Sequence, residues 1–320
     1  GALRAATLYS AIVFSAAVPL WMFNSLAAVI RGGGDMAFPA WVVAIGAVVL
    51  VVVSPLLIFG WGPFPALGVA GGGVAIVAYY VVGAAIFAWR IWSGRGVLQP
   101  PLRPMRPTWA PMREILRVGA ASSIVSLSTN LTMIAATGLA GSLGQGALAG
   151  YGAGVRLEYL LVPLVFGLGA PMAAMVGTCI GAGLHARALQ VAWIGAALAG
   201  GATEAIGLAA ALHPEAWLRL FGDDPQMLET GAAYLRIVGP AYGFFGAGLA
   251  LYFASQGAGR LRWPVLIALA RVALSVGGGW LALTLFGTAA GLFAALALAL
   301  AVFGLGNAGA ILAGAWGRRA

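Results

Sequence analysis

Long apolar stretches dominate the chain and are separated by short polar connections. Each stretch is long enough to cross the hydrocarbon core of a bilayer as a helix, which takes roughly 20 residues. Charged residues make up 8% of the chain and hydrophobic residues 62%, whereas a soluble domain carries about 25% charged residues. The pattern predicts an all-α polytopic membrane protein with about nine transmembrane helices, at residues 8–30, 38–60, 69–92, 116–141, 148–180, 188–212, 229–256, 263–286 and 288–316.

The last third of the chain repeats the first third. Gly32-Gly33-Gly34-Asp35 precedes Pro39 and an apolar run, and Gly257-Ala258-Gly259-Arg260 precedes Pro264 and a similar run. The two copies begin six helices apart, so they cross the membrane in the same direction, as parallel repeats do. The middle third has no repeat partner and the chain begins with Gly1. We therefore expect an N-terminally truncated fragment of a twelve-helix protein.

The basic residues indicate the orientation of the helices. All 17 are arginines, and twelve of them lie on alternate connections or at the C-terminus. The connections 60–68, 142–147 and 286–288 carry no charge. This is the positive-inside pattern, and it places the Arg-rich connections and the C-terminus in the cytoplasm. The positive charge is thus explained by topology, and we expect no nucleic-acid partner.

One long connection, at residues 94–112, is rich in proline and arginine. Its prolines oppose a continuous helix and favour an extended segment. We place the domain boundary there, as a cytoplasmic linker between residues 1–93 and residues 113–320.

Three sequence motifs resemble those of multidrug and toxic compound extrusion (MATE) transporters. Residues 56–71 resemble the turn between the fifth and sixth helices of that family, Arg31 to Pro39 the turn after the fourth, and residues 176–188 the turn that ends the eighth. The resemblance implies a two-lobe (6+6) pseudo-twofold bundle. In that bundle, residues 1–93 would be a partial N-lobe of family helices 4–6 and residues 113–320 a C-lobe of helices 7–12.

The resemblance also implies a function. It implies a monomeric antiporter of the bacterial inner membrane that exports amphipathic, often cationic, organic compounds by alternating access. A gradient of H⁺ or Na⁺ would drive export, and no other cofactor is expected. One branch of the family couples through an aspartate in its first helix, which this chain does not contain. Another branch uses acids in the seventh and tenth helices, where Thr129 and Phe245 align here, so that coupling scheme is not supported.

Ionisable side chains inside a membrane are costly and therefore mark candidate sites. Glu158 lies near the middle of its span, close in sequence to Tyr151 and Arg156. It is expected either to bind a proton, an ion or a cationic substrate, or to form a structural pair with Arg156 or with Arg271. Arg271 is interpreted as a structural anchor more readily than as a binding residue.

Three further candidate residues carry polar side chains within predicted spans. Thr129 and Asn130 lie in a polar patch, where an amide can bind a cation or substrate, or form an interhelical hydrogen bond. Glu204 is a candidate carboxylate facing the lumen of the protein.

The sequence shows no constellation of residues typical of an enzyme. We find no Ser-His-Asp arrangement, no phosphate-binding Gly-rich loop followed by lysine, and no metal-ligand spacing. The expected partners are the lipid bilayer and small organic substrates. Two alternatives to multidrug export stay open: a flippase for lipid-linked saccharides of the same superfamily, and a fragment without transport activity.

Overall fold

A computed structural model describes residues 2–60, 65–94 and 108–317, with side chains from Thr7 onward. The chain forms two compact units, Gly1–Arg106 and Pro107–Ala320. The described residues are helical, with no strand among them. Most of the connection predicted at 94–112 lies outside the described residues, but its last four residues belong to a helix. Pro111 does not prevent this because it falls in the first turn, where its missing N–H costs no hydrogen bond.

Four helices form the first unit as far as it is described: α1 (Ala2–Ser15), α2 (Ala17–Gly32), α3 (Ala37–Phe59) and α4 (Val69–Trp92). The apolar stretch predicted as one span at 8–30 is a bent pair, with 45° between α1 and α2. Pro19 explains the break, since a proline ring clashes with the carbonyl four residues earlier, here that of Ser15.

The described part of the second unit, residues 108–317, contains nine helices: α5 (Trp109–Gly141), α6 (Gln145–Gly181), α7 (His185–Leu212), α8 (Pro214–Leu218), α9 (Pro225–Val238), α10 (Tyr242–Gly257), α11 (Arg262–Ala273), α12 (Gly279–Phe286) and α13 (Ala289–Leu312). A 3₁₀ turn at Gly239–Ala241 joins α9 to α10, and a π-helical segment at Leu274–Gly278 joins α11 to α12. Pro240 accounts for the 3₁₀ turn because it removes one donor from the helical ladder.

Eight helical segments of the described chain are long and apolar enough to cross a membrane, or nine when the bent pair counts as one. The expectation of about nine spans is therefore confirmed. Large apolar side chains also cover the outside of the bundle; Phe14, for example, is 78% exposed. In hydrocarbon such exposure carries no penalty, so the chain is a multi-pass membrane protein.

Asp35 shows how the helices of the first unit are held at one turn. Its Oδ1 accepts a hydrogen bond of 3.0 Å from the backbone N–H of Phe38, at the start of α3. Its Oδ2 forms a 3.2 Å ion pair with Arg90 of α4. The pair joins two helices that are consecutive along the chain, and the guanidinium of Arg90 also lies over the Phe38 ring.

Candidate functional site

Two glycines let helices α6 and α9 approach closely and bring their polar side chains together. A Cβ atom on Gly150 would lie 2.5 Å from the Met227 carbonyl oxygen, and one on Gly154 would lie 2.5 Å from the Tyr234 ring. Small residues permit this kind of close packing between membrane helices. The Tyr234 side chain can therefore reach Glu158, one turn further along α6.

Glu158, Tyr234 and Arg271 form one buried cluster within the second unit. The Tyr234 hydroxyl donates a 3.1 Å hydrogen bond to Oε2 of Glu158. The Nη2 of Arg271 donates to Oε1 at 3.4 Å. Glu158 is 8% exposed and Arg271 5%. Of the two partners proposed for Glu158, the structure therefore selects Arg271, whose helix is far away in sequence.

The ion pair is long for one that is so deeply buried. Charge-assisted N–H···O bonds are typically about 2.7–2.9 Å. Nε of Arg271 is buried and has no hydrogen-bond partner among the described residues. The guanidinium instead lies 5.3 Å from the ring centroids of both Phe245 and Phe303. These cation–π contacts partly replace the hydration of the guanidinium, but they do not supply a hydrogen-bond acceptor for its Nε.

A small cavity adjoins the ion pair. Its volume is about 20 Å³, which is room for about one water molecule. Besides Glu158, Tyr234 and Arg271, the polar side chains of Thr132 and Ser275 line its wall. An ion or water of that size would thus meet several oxygen atoms.

The π-helical segment Leu274–Gly278 begins three residues after Arg271 and contains the buried Ser275. Single π turns inside α-helices are rare and often occur at functional sites. Here the segment lies in the same span as the buried arginine, and Ser275 lines the same cavity.

Glu204 lies outside this cluster and binds the backbone at the break between α9 and α10. Its Oε2 accepts a 2.7 Å hydrogen bond from the backbone N–H of Gly243. In the 3₁₀ turn the Gly239 carbonyl is bonded instead to the Tyr242 N–H. The N–H of Gly243 is thereby left for a side chain, and Glu204 caps the restarted helix.

The other predicted site residues divide between the cluster and the periphery. Tyr151 is buried beside Tyr234, with the ring centroids 5.4 Å apart, and lines the cavity. Thr129 and the exposed Asn130 bond to carbonyls of their own helix, those of Val125 and Ser126. Arg156 is exposed, and its guanidinium lies 4.9 Å from the centroid of the Phe221 ring. The structure thus brings together Glu158, Arg271 and Tyr151.

Sequence reasoning missed Tyr234 and Ser275. A signal existed for Tyr234, because a buried tyrosine hydroxyl in a membrane needs a hydrogen-bond partner. Ser275 gave no comparable signal, since a single serine is common in membrane helices. Among the described residues, no group of three or more His, Cys, Asp or Glu side chains is close enough to hold a metal ion.

Comparisons with known proteins place these observations in a family. The MatE family model matches residues 121–281. The chain is 30% identical over 298 residues to a probable multidrug resistance protein NorM of Geobacillus kaustophilus, covering 88% of this chain and 63% of the relative. It is 26% identical over 220 residues to an FAD transporter of Shewanella oneidensis, covering 68% of this chain and 48% of the relative.

Solved structures support the same fold. A crystal structure of a MATE protein in a bent conformation matches with a TM-score of 0.84 at 19% identity, over 96% of this chain and 68% of that one. The chain spans only about half to two thirds of the length of the two curated relatives.

Proposed function

Because the chain belongs to the MatE family of transporters, we propose that it takes part in export of amphipathic, cationic organic compounds across the bacterial inner membrane. In this proposal it acts as a monomer by alternating access, with its Arg-rich connections and C-terminus in the cytoplasm. The observation that carries the proposal is the buried ion pair between Glu158 and Arg271, with Tyr234 as its third member.

The pair supports a switching role because its members are not optimally bonded. Two charges buried in a low-dielectric interior are costly unless their geometry and hydrogen bonds are excellent. Here the bond is 3.4 Å long and Nε of Arg271 lacks a partner in the part of the chain that the structure describes. A cation arriving at Glu158 therefore competes with a weakened contact, and its binding would favour one conformation over another.

Either H⁺ or Na⁺ could serve as the coupling ion in this arrangement. A proton would neutralise Glu158 and release Arg271. Na⁺ prefers oxygen ligands, and the cavity offers Glu158, Tyr234, Thr132 and Ser275. In the second case Arg271 would have to withdraw, because two cations cannot share one carboxylate without repulsion.

The flippase alternative would need a cationic surface within the membrane-spanning part of the protein, free to bind a pyrophosphate. The buried arginine of this site is already paired with Glu158. One of the relatives is an FAD transporter. FAD is anionic, so a substrate of that kind would also need a cationic surface. The described geometry of the cluster favours cations instead, because its carboxylate is what a substrate cation would approach.

The test is export of ethidium from a drug-sensitive bacterial strain that produces the chain. Glu158→Gln keeps an acceptor for Tyr234 but removes the negative charge, and we expect export to be lost. Glu215→Gln is the matched control, because Glu215 of the short helix α8 forms an exposed pair with Arg219. Undiminished export by Glu158→Gln, at a normal amount in the membrane, would contradict the proposal.

A further inference from the structure

A second polar feature lies at one end of the second unit and is separate from the buried ion pair. A cleft of about 810 Å³ opens where α5 and α11 begin and where the chain leaves α13. Sites that hold drug-sized molecules measure about 300–1,000 Å³. The cleft therefore has the capacity for a sizeable ligand.

The charge of the cleft is positive. Arg117, Arg260 and Arg262 line it together with one acid, Glu114, which gives three positive charges against one negative. The side chains of these three arginines form no ion pair or hydrogen bond within the described part of the chain. Their charge is thus available to an external anion.

The turn before α11 differs in charge from the corresponding turn of the first copy, which precedes α3. In the first copy, Asp35 caps α3 and neutralises Arg90. The corresponding position of the second copy is Arg260, so the sign of the charge at the turn is reversed. Helix α11 also begins at Arg262 without a side-chain cap, so its positive end adds to the field.

Among the described residues that line the cleft, Glu114 is the one acid, and it forms no ion pair with the three arginines. The cleft also has an apolar wall, formed by Val118, Ile124, Val265 and Leu266, and the exposed Trp263 lines it as well. A suitable ligand therefore combines an anionic group with a hydrocarbon chain.

We propose that this cleft binds an anionic phospholipid of the surrounding membrane. The phosphate lies among Arg117, Arg260 and Arg262, and an acyl chain follows the apolar wall along α5 and α11. Basic pockets between membrane helices recognise anionic headgroups in this manner. The site is independent of the transport proposal, because it shares none of the residues of the buried ion pair.

The test uses the purified chain in detergent and native mass spectrometry with added phosphatidylglycerol or phosphatidylcholine. We expect phosphatidylglycerol to be retained preferentially. The double substitution Arg260→Gln and Arg262→Gln should weaken its binding by about tenfold or more. Arg187→Gln is the matched control, because Arg187 is exposed in the first turn of α7 and does not line the cleft.

Three binding results, and one unfolding result, would overturn the proposal. In the first, both lipids bind equally. In the second, Arg187→Gln weakens binding as much as the double substitution does. In the third, soluble glycerol phosphate competes as well as the whole lipid, which would show that the hydrocarbon wall has no part. Thermal unfolding in phosphatidylcholine checks the fold, and early unfolding of the double variant there would make the arginines structural instead.

Discussion

The two copies of the three-helix repeat, residues 17–92 and 242–312, share their turns and differ inside. Gly34 and Gly259 occupy the same place in the first turn, with φ of 91° and 66°. Gly60 and Gly287 end the middle span of each copy, with φ of 71° and 63°. These left-handed conformations favour glycine, so the turns demand the same residue in both copies.

The side chains inside the two copies differ in polarity and charge. At the same register, Gly46 and Leu50 of the first copy correspond to Arg271 and Ser275 of the second. Gly46 and Leu50 line an apolar cavity of about 460 Å³ between α3 and α4. Arg271 and Ser275 line the 20 Å³ cavity beside Glu158. The comparison teaches that the two copies share their turns while a buried charge occurs in one copy, where a partner from α6 is available.

The largest effect is expected from removing the buried charge of the second copy. Arg271→Met leaves Glu158 buried without its partner, and breaking a buried pair in this way costs about 3–5 kcal/mol. Thermal unfolding of the purified chain in detergent measures the loss. Combining it with Glu158→Gln removes both charges and should restore most of the stability.

The control for this prediction is Arg236→Met, because Arg236 is exposed on α9. It should change the unfolding temperature little. Equal destabilisation by Arg271→Met and Arg236→Met would show that the buried pair does not distinguish the second copy.

A smaller effect is expected at the turn of the first copy. Asp35→Ala removes both the cap of α3 and the pair with Arg90 and should cost about 1 kcal/mol, as typical losses of a cap do. Asp35→Asn keeps an acceptor for the Phe38 N–H and loses only a partly exposed pair, which is worth about 0–1 kcal/mol. The same unfolding assay separates the two variants. Equal losses with Asn and with Ala would make the charge, and not the cap, the main contribution.

The sequence predicted the spans well because apolar length alone decides whether a helix can cross a membrane. The interruptions within the spans were harder to predict. Pro19 and Pro240 were visible but lay inside continuous apolar runs, and hydropathy does not report an interrupted hydrogen-bond ladder. The π-helical segment after Arg271 has no sequence signature, since it depends on how the span packs against α13 and α5.

The candidate site was predictable in its residues but not in its pairing. The cost of burying charge singled out Glu158 and Arg271 from the sequence. The choice between Arg156 and Arg271 as the partner required the packing of α6 against the rest of the unit. Glu204 illustrates the opposite case, because its bond to the Gly243 N–H exists only once the 3₁₀ turn has freed that donor.

The central claim is that the Glu158–Arg271 pair serves transport and not only stability. The most direct measurement is ethidium export by the double variant Glu158→Gln with Arg271→Met, made alongside its thermal unfolding. The account predicts a protein that unfolds close to the temperature of the parent chain and yet exports no ethidium. Export at the parent rate by this stably folded double variant would contradict the claim and leave the pair a purely structural contact.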